Sequence, residues 1–191
     1  LLELRGAEEV AHANPGLKAN LSITTSLYDI YLDQYRQVYT IRVSLIARSL
    51  VDDCQRIYSP TVRNEIKDVR FLSPGTSVWD EEENRYRLNL NYPLRLGESI
   101  PVDYEMDIVP DVEPPEVLEL NFVKSRSSAV IRLFFADEHT APQTVKVVRE
   151  IKDDVAGTIE KNIDLPVTGW RASIYLSPVY NETLHFISVD D

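Results

Sequence analysis

The sequence predicts an all-β chain, an antiparallel β-sandwich of Ig-like or jelly-roll-like type, with a short helix near its N-terminus. Three observations predict it. Apolar and polar residues alternate with period two in several stretches, most clearly Tyr86-Arg87-Leu88-Asn89-Leu90-Asn91-Tyr92. Such alternation puts one apolar and one polar face on a pleated strand. Clusters of turn residues separate these stretches at the short spacing of a sandwich or open barrel. Hydrophobic residues make up 43% of the 191, too many for a disordered tail, and a chain of this length buries about 70% of its unfolded surface.

In chain order, residues 1–16 are a polar lead-in closed by the turn signal Asn14-Pro15-Gly16. Residues 17–191 read as one β-sandwich-like domain. Leu17, Ala19, Leu21 and Ile23 alternate with Lys18, Asn20 and Ser22, which predicts a strand. Tyr28, Tyr31, Tyr35 and Val38 recur at three- and four-residue steps. That spacing shares one helical face and predicts a helix over 27–37. Tyr39, Ile41, Val43 and Leu45 restore the strand alternation. Asp52-Asp53 and Ser59-Pro60 punctuate the chain after that strand. Val69 to Leu72 is a short strand closed by Ser73-Pro74-Gly75. The acidic run Asp80 to Asn84 connects Val78-Trp79 to the strand Arg85 to Tyr92, and Pro93 ends it.

Gly97-Glu98-Ser99 turns the chain into Ile100 to Ile108, where Pro101 suggests an edge strand or a bulge. Val109 to Pro115, rich in proline and acid, is a stiff linker candidate and a possible subdivision at 109–116. Beyond it the apolar groups are Leu118-Leu120-Phe122, Ile131-Leu133-Phe135, Val145-Val147, Trp170-Ala172-Ile174-Leu176 and Leu184-Phe186. The expected core includes Ile41, Val43, Leu45, Leu88, Leu90, Val102, Tyr104, Leu120, Ile131, Leu133, Trp170 and Ile174.

Charge narrows the function classes. Lys plus Arg number 20 against 31 Asp plus Glu, a formal net charge of −11. Phosphate contact needs positive charge, so nucleic acid is not the expected partner. No apolar run approaches the roughly 20 residues of a membrane helix, so no membrane insertion is expected. The lone cysteine, Cys54, forms no internal disulfide and reads as a small buried or half-buried thiol. Two sequons, Asn20-Leu21-Ser22 and Asn181-Glu182-Thr183, leave an extracellular or periplasmic setting open beside the cytoplasm. The start at Leu1-Leu2 reads as a processed chain or a piece of a longer protein.

No catalytic or cofactor motif of real specificity stands out. The six glycines form no phosphate loop, there is no Gly-x-Ser-x-Gly elbow, and His12, His139 and His185 share no metal-type spacing. Pro110-Asp111 followed by Glu119-Leu120-Asn121 is similar to the PD-(D/E)xK nuclease pattern, but Asn121 stands at the lysine position. Asp103, Glu105 and Asp107 share one strand face and are the candidate metal ligands, Ca²⁺ being the ion considered and no other cofactor expected. Residues two apart on a strand lie about 6.5–7 Å apart, wide for one ion. The ordinary reading is a solvated acidic edge. Tyr28, Tyr31, Tyr35 and the neighbouring Arg36 are the interface candidates, because tyrosine and arginine are enriched where proteins meet partners. Arg42 is expected to meet either an anion or the protein's own acidic strand.

Two segments carry a family resemblance. One runs Tyr39 to Ser49, Asp52-Asp53, then Tyr58; the other is Tyr86-x-Leu88 into Tyr92-Pro93-Leu94-Arg95-Leu96-Gly97-Glu98, with Trp170, Pro178 and Tyr180 beyond. Together they resemble β-rich accessory or sensory domains appended to bacterial regulatory and defence proteins. The resemblance implies a ligand- or partner-sensing module without catalysis. The leading expectation is thus a non-catalytic recognition module with a protein partner or self-association, a small-molecule ligand being possible. The alternatives are an assembly subunit of a surface, capsid or envelope, and a carboxylate-dependent hydrolase on a β-sandwich.

Overall fold

Strands built from the alternating stretches make up almost all of the structure. A computed structural model describes residues 21–33, 38–58, 65–81, 85–109, 116–122, 127–139, 141–153, 157–179 and 181–189. The lead-in 1–16 lies outside them. The strands are β1 (Leu21–Asp33), β2 (Val38–Ser49), β3 (Cys54–Tyr58), β4 (Glu65–Phe71), β5 (Thr76–Asp80), β6 (Arg85–Leu94) and β7 (Ser99–Val109). After the 110–115 segment come β8 (Glu116–Phe122), β9 (Ser128–Phe135), β10 (Thr144–Asp153), β11 (Gly157–Pro166), β12 (Arg171–Leu176) and β13 (Glu182–Val189).

They form three sheets, ordered β12-β9-β1-β2-β7-β4, β11-β10-β13-β8 and β3-β6-β5. The expected all-β sandwich is what the structure shows. Its pairing is not wholly antiparallel: β1 runs parallel to β9, from Thr25↔Ser128 to Leu32↔Phe135. A parallel pair needs a crossover, and here the strands between β1 and β9 supply it. Inward residues of all three sheets join one buried cluster, among them Ile30, Ile41, Val43, Leu88, Ile108, Leu118, Ile131, Leu133 and Phe186. Tyr28 of the six-stranded sheet meets Phe122 of the four-stranded sheet edge to face, centroids 5.6 Å apart. Each large aliphatic side chain buried this way contributes about 1.5–3 kcal/mol. Residues on both sides of 110–115 enter that cluster; the linker itself lies outside the described residues.

The helix over 27–37 is corrected. Residues 21–33 are strand β1, with Tyr28, Ile30 and Leu32 buried and Asp29 and Tyr31 on the other side. Tyr28, Ile30 and Leu32 fit a period of two as well as the tyrosines fit a helical step. Pairing with β2 on one side and β9 on the other settles the choice. Tyr28 and Tyr31 therefore face opposite ways, while Tyr35 and Arg36 lie outside the described residues.

Three smaller corrections have equally local causes. β7 is not an edge strand, since β2 and β4 flank it. β4 pairs it only from Tyr104 to Val109, however, so Pro101, which has no N–H to donate, sits where one side is open. Pro93 does not end β6, because β5 reaches only Asn89 and the β3 register slips between Cys54 and Arg56. Trp170 lies in the turn before β12, 40% exposed, and is not core. Leu45 and Leu90 are half-buried against the core, and the other expected core residues are buried.

The Pro93 to Glu98 stretch has a plain structural role. Gly97 adopts a φ of 84°, the left-handed region that glycine enters freely. The Arg95 amide donates to Glu98 Oε2 at 2.8 Å, and the Gly97 amide to the Ser49 carbonyl at 2.9 Å. Asp52 Oδ1 accepts the Leu96 amide at 3.0 Å. The two turns thus brace each other. Cys54 is buried beside them, as expected of a structural thiol.

Candidate functional site

The solvent-facing side of the six-stranded sheet concentrates the chemistry of this chain. Cross-strand register lines its outward residues into rows. One row runs Ser173, Arg132, Asp29, Arg42, Glu105, Arg70 across β12, β9, β1, β2, β7 and β4. From Arg132 onward its charges alternate, so every neighbour attracts. Arg132 grips Asp29 with two hydrogen bonds, from Nε and Nη2, each 2.5 Å. This bidentate geometry is the strong form of the ion pair, and hydrogen bonding to Asp29 raises the pKa of Arg132 above its ordinary value.

The expected metal ligands sit in and beside this row. Glu105 lies 3.0 Å from Arg42 Nη2 and 2.8 Å from Arg70 Nη2. Asp107 accepts from Thr40 Oγ1 at 2.7 Å and pairs with Arg70 at 3.2 Å. Asp103 shares their face one pair further along. Arg42 therefore meets the protein's own acidic strand, and a Ca²⁺ ion there would have to displace two guanidinium groups.

The adjacent row is aromatic at one end: Arg171, Phe134, Tyr31, Thr40, Asp107, Asp68. Tyr31 stacks on Phe134 with centroids 4.8 Å apart and planes 13° apart. Phe134 in turn meets Trp170 at 5.4 Å. Arg132 lies 5.9 Å from the Phe134 centroid and Arg171 5.5 Å from that of Trp170, within cation–π range. Tyr31 and Trp170 remain 41% and 40% exposed, and Tyr175 on the same face of β12 is 66% exposed. The result is three aromatic rings in contact, open to water, with two arginines over them.

Of the four interface candidates, Tyr31 belongs to this surface and Tyr28 is core. Phe134, Tyr175, Arg132 and Arg171 are not among the sequence's site candidates, and Trp170 is expected there as core rather than surface. A signal existed for Phe134: Arg132 and Phe134 alternate with Ile131, Leu133 and Phe135, so an aromatic ring had to point outward with the charge. The Trp170–Phe134–Tyr31 contact, however, joins three distant stretches and needs the sheet order. His139 lies in the turn after β9, where its backbone amide donates to Asp137 Oδ1 at 2.8 Å. His185 is on the polar side of β13.

No protein-family profile and no curated protein matches this sequence. Solved structures do match in shape. One is a variant of a two-domain M1 zinc metallopeptidase bound to L-tryptophan, with TM-score 0.54 and 9% identity over 89% of this chain and 43% of that one. Another is the M1 zinc metallopeptidase from Deinococcus radiodurans, with TM-score 0.53 and 9% identity over 89% and 43%. The chain spans less than half the length of these proteins, and at this identity the likeness is one of fold.

Proposed function

We propose that this chain is a non-catalytic recognition domain that docks on a protein partner through the aromatic end of the six-stranded sheet. The observation that carries this reading is the exposed Tyr31–Phe134–Trp170 stack under Arg132 and Arg171. Tyr, Trp, Phe and Arg are the residue types enriched at interface centres, where they bury much area with few rotamers to freeze. The pairing of Asp29 with Arg132 holds that arginine in place before any partner arrives, which lowers the entropy lost on docking.

The fold likeness supports the same reading. The part matched is 43% of a protein described as having two domains, the size of one domain with another beside it. His-Glu-x-x-His, a zinc-peptidase motif, does not occur in this chain, since none of its three histidines is followed by glutamate. What the likeness supports for these residues is a shared scaffold.

Recovery of the tagged chain from its own host, followed by native mass spectrometry, tests the proposal. The wild type should carry a stoichiometric protein adduct. The double variant Tyr31→Ala, Trp170→Ala should lose it while keeping its circular dichroism spectrum. An adduct that survives the double substitution in a folded variant would refute docking at this face.

A further inference from the structure

The polar side of the four-stranded sheet carries a second group of side chains that the recognition surface does not use. β8 supplies Glu116 and Glu119, and β13 supplies His185. Two glutamates three residues apart on a regular strand point to opposite faces. Here β8 pairs with β13 through a bulge: Phe186 faces Leu118, but the next residue, Ile187, faces Glu116. Val117 is the extra residue, and Val117 and Leu118 are both buried. Glu116 is thereby returned to the face of Glu119, which lies directly across from His185. Bulges commonly re-aim side chains in this way beside functional sites. One ligand atom from each of Glu116, Glu119 and His185 lies within 4.8 Å of the others.

The imidazole gives an independent indication. Its Nδ1 is 2.7 Å from Glu116 Oε1 and 4.0 Å from Glu119 Oε2. An ionised carboxylate only accepts, so the contact with Glu116 is a hydrogen bond donated by Nδ1. Nε2 is buried without a hydrogen-bond partner, 3.7 Å from Glu150 Oε2 on β10. Three carboxylates thus surround one ring.

We propose that Glu116, Glu119 and His185 bind a divalent transition-metal ion of the Zn²⁺ class. With the metal on Nδ1, the ring carries its proton on Nε2, which donates to Glu150. The orphaned atom is satisfied, and Glu150 becomes the outer carboxylate that orients a metal-bound histidine. Zinc bonds of about 2.0–2.2 Å put tetrahedral ligand atoms about 3.4 Å apart. The 2.7 Å contact would open and the 4.0 Å contact close, each by less than about 1 Å. The mixed nitrogen and oxygen set favours zinc over Ca²⁺ or Mg²⁺, which take oxygen ligands.

Isothermal titration calorimetry and thermal melting of the purified chain with zinc chloride test this. One equivalent of Zn²⁺ should bind, and free Zn²⁺ at a hundredfold excess over Kd should raise the melting temperature by about 5 °C or more. Calcium and magnesium chloride should give no comparable shift. Glu119→Gln, of unchanged size, and His185→Gln should each weaken Zn²⁺ binding at least tenfold, Glu150→Gln about tenfold, and His139→Gln not at all. Absence of Zn²⁺ binding, or equal binding in folded Glu119→Gln and His185→Gln chains, would overturn the proposal.

Discussion

Glu182 is the most demanding residue in the fold. Its side chain is fully buried, and Arg149 meets it with two bonds, Nε to Oε2 at 2.7 Å and Nη2 to Oε1 at 2.8 Å. Removing one member of a buried ion pair costs about 3–5 kcal/mol. Arg149→Ala should therefore destabilise the chain by that amount in urea titration, far more than Arg42→Ala, whose partner Glu105 keeps Arg70. Tyr39 makes a pH prediction. Burial raises the pKa of its hydroxyl above 10.0. Below that pH the phenol is neutral both folded and unfolded. Above it the unfolded chain ionises first, so stability falls as pH rises from about 10 through the folded pKa. Melting curves between pH 9 and 11 should show a smaller fall for Tyr39→Phe. Such residue-level facts were half legible. Alternation placed Ile41, Val43, Leu88 and Ile131 in the core, but it also put Trp170 there, because it cannot show that the strand begins one residue later.

At the scale of elements, β1 and β11 show what local pattern lacks. β1 satisfies both a helical and a strand period, and only its two neighbours decide between them. Among the described residues β11 pairs with β10 alone and is exposed along most of its length, so it has no buried face to impose alternation and gives no sequence signal. The turns were more legible, since Gly, Pro and Asp carry their own backbone chemistry. Gly75 after β4 is a test case: a Cβ there would sit 2.5 Å from the Asn89 carbonyl oxygen and 2.7 Å from Leu88 Cδ1, at a φ of 149°. Gly75→Ala should destabilise the chain by about 1–3 kcal/mol in urea, because backbone and core must both give way. The bulge in β8 was likewise unreadable, as it exists only in the register with β13. The Glu116–Glu119–His185 group was invisible in sequence for that reason.

At the scale of the molecule, the six-stranded sheet sorts its exposed side into a charge ladder and an aromatic end. The ladder neutralises the acidic strand face of β7 internally, so it offers little free charge despite the net −11. The aromatic end is left for a partner. Salt should weaken docking only modestly, since Asp29 already pairs with Arg132 and the stacked rings supply the contact area. The most direct measurement is site-specific photo-cross-linking in the native host. A photo-reactive phenylalanine analogue would replace Tyr175 on the docking face or, as a control, Thr158 on β11. Both positions are exposed. Docking through this face should give one dominant cross-linked protein from position 175, lost when Tyr31→Ala and Trp170→Ala are added, and none from position 158. No cross-link from 175, or the same products from both positions, would contradict it.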